Sequence, residues 1–240
     1  MLLLRRNKMI VFLAIVATLT SGIVQAEGGL SIQGTRIIYP QGARQVSVSL
    51  TNSSSTDSYL VQSRVEDAAG NKTSDFIVTP PLYLSGPKNE NVVRLMFLGK
   101  TLPTDRESLY YFIEKAIPSL DKSKIQGGSV LLLATANRIK LFVRPKGLTQ
   151  DIHAAPQGLV FNKLGNTLHI SNPSPYYVTM VDIKYGDNAL TSIMVAPKSQ
   201  IIQTLPPQIA DSITYHTLND FGGATEQIRK ALSTISTNKK

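Results

Sequence analysis

Short stretches of period-two alternation, each closed by a cluster of turn residues, constrain this chain more than any other feature. Val46-Ser47-Val48-Ser49-Leu50 puts apolar side chains on one face and hydroxyls on the other, the pattern of a half-buried strand. Residues 51–58, all Thr, Asn, Ser or Asp, then read as a loop. Residues 59–65 predict a second strand before the turn Ala69-Gly70-Asn71-Lys72, and 76–79 a short one that stops at Pro80-Pro81. Residues 91–97 and 108–116 follow, each bounded by Pro, Gly or Asp. The longest candidate, 129–144, ends at Pro145-Lys146-Gly147; proline cannot donate a ladder hydrogen bond, so one sheet should close there. Beyond it, 158–170, 176–185, 191–195, 200–205 and 212–218 repeat the short-strand pattern, and 224–233 is the one helical candidate. Strands at this spacing argue for antiparallel sandwiches rather than βαβ units. A chain of 240 residues suits two such all-β domains, and the expected division is 27–147 and 148–240.

Residues 1–26 stand apart. Arg5, Arg6 and Lys8 make a basic start, an apolar run covers 9–17, and Val24-Gln25-Ala26 offers the residues a signal peptidase reads. Thr18, Thr20, Ser21 and Gly22 break the run short of the ~20 apolar residues a membrane anchor needs. A secretory signal cleaved after Ala26 is expected, with no membrane span afterwards. The formal charge of +9 then does not point to nucleic acid: the remaining cations are scattered, with no basic run interleaved with aromatics. Cysteine is absent, which excludes zinc fingers, iron–sulfur clusters and thiol nucleophiles and suits a bacterial periplasm better than a disulfide-rich exterior. His153, His169 and His216 lie at no metal-ligand spacing, so no metal or cofactor is expected. No Gly-x-Ser-x-Gly element is present and none of these histidines has a suggestive neighbour, so catalysis is not expected either.

Within 129–144, Val130-Leu131-Leu132-Leu133-Ala134 is apolar on both faces. Further on, Ile139, Leu141 and Val143 alternate with Arg138, Lys140 and Arg144, with Phe142 among the charges. Two readings are open. The second face lies under a loop or the other domain, or one row of side chains is offered to a partner. Periodicity does not separate them.

Several motifs occur together in order: Gly34-Thr35-Arg36-Ile37-Ile38-Tyr39-Pro40, Thr79-Pro80-Pro81, Asp105-Arg106-Glu107-Ser108-Leu109 and Lys115-Ala116-Ile117-Pro118-Ser119. Then come Arg138-Ile139-Lys140-Leu141-Phe142-Val143-Arg144-Pro145, Ser171-Asn172-Pro173-Ser174-Pro175-Tyr176-Tyr177-Val178-Thr179 and Asn219-Asp220-Phe221-Gly222-Gly223. Over essentially the whole mature chain the sequence resembles periplasmic chaperones of the chaperone–usher pilus pathway, the PapD-like family. The resemblance implies two immunoglobulin-like β-sandwich domains in an angled, L-shaped arrangement with a cleft between them, and no enzymatic activity. It implies that the chain binds, folds and caps pilus subunits by donor-strand complementation and delivers them to an outer-membrane usher. It leaves open whether the free protein caps itself as a homodimer.

Carried over residue by residue, Leu131, Leu133 and Thr135 fall on the positions that plug the subunit groove; at Thr135 many relatives are apolar. Arg36 and Lys140 fall on two cleft cations that grip the subunit's C-terminal carboxylate. Glu107, Arg144 and Asp220 fall on an interdomain charge network, expected to act as exposed pairs of about 0–1 kcal/mol. Residues 172–178 should form a rigid turn at the base of the second domain, with no ligand. The connection 120–128 is short, as in the short-loop branch of the family. Arg64 stands where relatives commonly carry Trp, and Glu66-Asp67 read as ordinary hairpin charges. The alternative is a secreted immunoglobulin-like adhesin or carbohydrate-binding module, which predicts exposed aromatics in a loop cluster.

Overall fold

A computed structural model describes residues 28–119, 133–207 and 210–234. The signal segment, Leu131 and the connection 120–128 lie outside the described residues. Among the described residues, nine strands form the first sandwich: β1 (Leu30–Ile32), β2 (Arg36–Pro40), β3 (Val46–Asn52), β4 (Tyr59–Asp67), β5 (Phe76–Thr79), β6 (Leu82–Ser85), β7 (Glu90–Phe97), β8 (Ser108–Pro118) and β9 (Thr135–Arg144). They make a four-stranded sheet, β1-β3-β7-β5, and a five-stranded sheet, β2-β9-β8-β4-β6. The chain changes sheet between β1 and β2 through Gly34, whose φ of 99° lies in the left-handed region that glycine tolerates.

The second sandwich contains β10 (Val160–Leu164), β11 (Thr167–Asn172), β12 (Val178–Tyr185), β13 (Asn188–Leu190), β14 (Ile193–Val195), β15 (Ser199–Thr204), β16 (Ser212–Thr217), β17 (Ile228–Ala231) and β18 (Ser233–Thr234). Its sheets run β15-β11-β10-β18 and β13-β12-β16-β17, with β14 also on β12. Two all-β domains are therefore present, each around its own core. Val48, Leu50, Val93, Leu95, Phe112 and Leu141 are buried in the first, and Leu168, Ile170, Met180, Ile183, Ile213 and Tyr215 in the second. Each such side chain contributes about 1.5–3 kcal/mol on full burial. No helix among the described residues is long and apolar enough to cross a membrane.

Three strand expectations need correcting. Residues 224–233 are not helical: β17 pairs antiparallel with β16, and its Ile228 is buried while Arg229 is exposed. The local alternation outweighs the weak helical pattern once a sheet edge is available. The expected strand 158–170 is two strands, β10 and β11, turned at Gly165 with φ 58°. In the expected strand 129–144, residues 129–132 lie outside the described residues, 133–134 carry no ladder, and β9 begins at Thr135.

Candidate functional site: an open strand edge ending at two cations

β9 pairs antiparallel with β8 along its length, from Ala116↔Thr135 to Ser108↔Val143. On its other side β2 runs parallel, but only from Arg36↔Lys140 to Pro40↔Arg144. Among the described residues, no strand covers that side of 135–139. Backbone groups there have no ladder partner, which is the template an added strand uses. The core-facing row of β9 is Thr135, Asn137, Ile139, Leu141 and Val143. Leu141 and Val143 are buried and Ile139 packs on the core, whereas Thr135 and Asn137 are exposed. Leu133 continues that row beyond the ladder and is 68% exposed. The opposite row meets the second domain at Phe142, whose ring lies 5.3 Å from that of Tyr177, and at Arg144. Residues 130–132 of the doubly apolar segment lie outside the described residues, and 133 and 134 are exposed. The other domain covers residue 142, and nothing among the described residues covers 133.

Arg36 and Lys140 are direct cross-strand partners at the point where the β2 ladder begins. Both are half-buried, and among the described residues neither has an ion-pair partner. Burial holds the Arg36 guanidinium below its ordinary pKa, partly offset by Asp220 and Glu107; burial and then the Arg36 charge do the same to Lys140. Arg36 Nη1 donates to the Leu218 carbonyl at 3.2 Å, while its buried Nε has no partner. Two like charges side by side in a partly dry site favour an anion.

Arg144 joins the domains. Its Nε donates to Glu107 Oε1 at 2.6 Å, and Nη1 and Nη2 donate to the two Asp220 oxygens at 2.6 and 2.7 Å. That is the two-pronged geometry a planar guanidinium suits. Glu107 Oε2 accepts the Tyr177 N–H, and the Glu107 N–H donates to the Pro175 carbonyl. The Glu107 side chain is only 2% exposed, so these are not the exposed pairs expected from sequence. Burial pushes its carboxyl pKa up, against the pull of Arg144. Residues 172–178 form the expected rigid turn, which Asn172 locks through the carbonyls of Tyr176, Val195 and Ala196; in addition Pro175 and Tyr177 sit at the domain junction. Sequence reading missed this because a Pro-rich turn shows its rigidity but not what it faces. Gly222, with φ 85°, allows the 219–223 loop to approach Thr35, whose Oγ1 a β-carbon would overlap. Between the domains lies a cavity of about 300 Å³, lined by Arg36, Phe142, Arg144, Tyr176, Leu218 and Phe221 among others.

Glu66 and Arg64 are also more engaged than expected. Arg64 Nε and Nη2 both donate to Glu66 Oε1, at 3.2 and 2.8 Å, and Asp67 holds the adjacent turn through the N–H groups of Ala69 and Asn71. A residue that sequence reading passed over is Glu114, on β8. It faces the core with Phe112 and Ala116 and is 1% exposed. Neither of its oxygens has a hydrogen-bond partner, nor do the nearby Ser63 Oγ and Tyr83 hydroxyl. Burial raises its pKa to about 7, which Asn137 opposite on β9 only partly offsets. The signal for it was available, since Tyr110, Phe112, Glu114 and Ala116 alternate as one row.

The described residues contain no group of three His, Cys, Asp or Glu able to hold a metal ion. Residues 29–149 match the family described as the pili and flagellar-assembly chaperone, PapD N-terminal domain, and residues 154–229 the pili assembly chaperone PapD, C-terminal domain. The probable fimbrial chaperone SfmC of Escherichia coli K12 is 40% identical over 216 residues, 90% of this chain and 94% of that protein. Chaperone protein FimC of the same strain is 40% identical over 205 residues, 85% of each. The periplasmic chaperone SfaE superposes with a TM-score of 0.73 at 39% identity, over 85% of this chain and all of that one. The SafB chaperone of Salmonella enterica, solved in complex with the SafA pilin, gives 0.78 at 26% identity, over 87% of this chain and 99% of that one. With both domain models matched in order and relatives this similar along nearly their whole length, the chain belongs to the PapD-like family of pili assembly chaperones, a family of periplasmic assembly proteins rather than enzymes.

Proposed function

We propose that this chain, secreted to the periplasm with removal of residues 1–26, captures pilus subunits by lending them β9 and its upstream extension, then presents them to an outer-membrane usher. Residues 27–147 and 148–240 form its two domains. One observation carries the reading: the uncovered edge of β9 stops at the Arg36–Lys140 pair. A subunit strand added along 133–139 would lie in line with β2 and parallel to β9. Its chain end would meet Arg36 head-on, and a terminal carboxylate would neutralise two cations that burial already disfavours. In the same register Leu131, Leu133 and Thr135 would enter the subunit's groove, extending this chain's core row into a second molecule. Glu107, Arg144 and Asp220 would hold the cleft angle on which that register depends. The SafB complex with a pilin favours this reading over a free-standing adhesin.

Co-purification from the periplasm with the pilin of the same operon tests it, comparing wild type with Arg36→Ala and Lys140→Ala. Loss of a half-buried interfacial cation costs roughly 2–5 kcal/mol, enough to abolish recovery of the complex. Each variant is expected to lose the pilin while keeping the wild-type unfolding midpoint. Full pilin recovery by both would overturn the carboxylate assignment.

A further inference from the structure

The outer face of the five-stranded sheet carries three rungs of side chains beside the open β9 edge. One rung is Arg36, Lys140, Tyr111 and Glu66; the next is Arg138, Ile113 and Arg64; the third is Ala136, Lys115 and Gln62. Among the described residues on these rungs there are five cations and one carboxylate. That carboxylate is already engaged, since Glu66 Oε1 takes both donors of Arg64. Its other oxygen is 3.6 Å from Arg138 Nε, a loose contact. Arg138 is held by something else: its guanidinium carbon lies over the Tyr111 ring, 3.3 Å from the centroid. The Arg64 and Arg138 side chains remain 35% and 45% exposed, whereas Ile113, between them on the rung, is buried.

We propose that this face is a docking strip for an acidic flank of the captured subunit, adjoining the carboxylate anchor; the inference rests on the function proposed above. Arg138 and Lys140 lie on β9, the strand that the subunit would pair with, and Lys115 and Arg64 lie one and two strands further into the sheet, so an approaching partner meets the strip before the backbone ladder forms. Preoriented cations of one sign attract an acidic surface over a distance of about 8–10 Å at ordinary ionic strength and raise its association rate. The closing ladder and plugs set dissociation instead. A polyanionic lipid surface would exploit the same charges but not the neighbouring strand edge.

The test is the association rate of the full chain with the unfolded major pilin of its operon, at about 20 mM and about 300 mM salt. The triple variant Arg64→Gln, Lys115→Gln, Arg138→Gln should associate about tenfold more slowly than wild type at low salt, converge with it at high salt, and dissociate at the same rate. Arg64→Lys with Arg138→Lys should keep the wild-type salt slope, which guards against a folding defect in the triple variant. An unchanged on-rate and salt slope in the triple variant would overturn the proposal. So would a loss confined to binding of phosphatidylglycerol vesicles. Failure of the anchor reading is separately visible, because Arg36→Ala would then still capture pilin at both salt concentrations.

Discussion

Replacing Glu114 by Gln should stabilise the first domain by an amount that depends on pH. The wild-type carboxyl is 1% exposed, faces Phe112 and Ala116, and has no hydrogen-bond partner on either oxygen. Burial raises its pKa from 4.5 to about 7 in the folded protein. The folded state therefore keeps a proton that the unfolded chain releases. Stability from this group is complete below about pH 4.5 and is lost as pH rises to about 7. At 1.36 kcal/mol per unit of difference, ionisation costs about 3 kcal/mol above pH 7 and only a few tenths near pH 4. Gln has the same shape and never ionises, so the variant minus wild-type difference should follow that curve. Glu107, also raised by burial, is common to both proteins and cancels. Urea unfolding read by tyrosine fluorescence, which no tryptophan obscures, measures the difference between about pH 4 and pH 8. A difference that is flat with pH would refute the reasoning, since a packing effect without ionisation has no such slope.

Arg144→Met should destabilise the protein by about 3–5 kcal/mol, because it leaves the Glu107 carboxylate buried with only a backbone donor. Adding Glu107→Leu should recover much of that loss in the same urea titration, and strict additivity of the two substitutions would contradict the network's role. Leu133→Glu, at a position 68% exposed in the free chain, should leave the unfolding curve unchanged but strip the pilin from periplasmic pull-downs; a melted variant, or full pilin recovery, would mean the side chain serves this molecule's own packing.

Local pattern explains why most of the fold was legible. The alternation in 46–50 and 59–65 and the stop at Pro80-Pro81 report which residues share a face and where a ladder must end, and β3, β4 and β5 follow them. Where alternation was interrupted or weak, reading failed. β1, β2, β6 and β13 were not anticipated, β17 was taken for a helix, and the β10–β11 turn at Gly165 was passed over. Recognition of ordered motifs supplied Arg36, Lys140, Glu107, Arg144 and Asp220 as candidates, but not their surroundings. Their burial depends on an element contributed by the other domain.

The amino-acid order alone thus determined a cysteine-free pair of β-sandwiches and a strand whose two faces are both unusual, because periodicity and turn chemistry act between near neighbours. Tertiary structure decided what covers those faces. Phe142 meets Tyr177 from across the junction, Glu107 is buried against residues about 70 positions away, and β2 stops covering β9 at Lys140. Contacts between segments far apart in the chain leave no mark on local spacing. Only the folded chain shows that, among the described residues, an edge is left open and that two cations stand at its end.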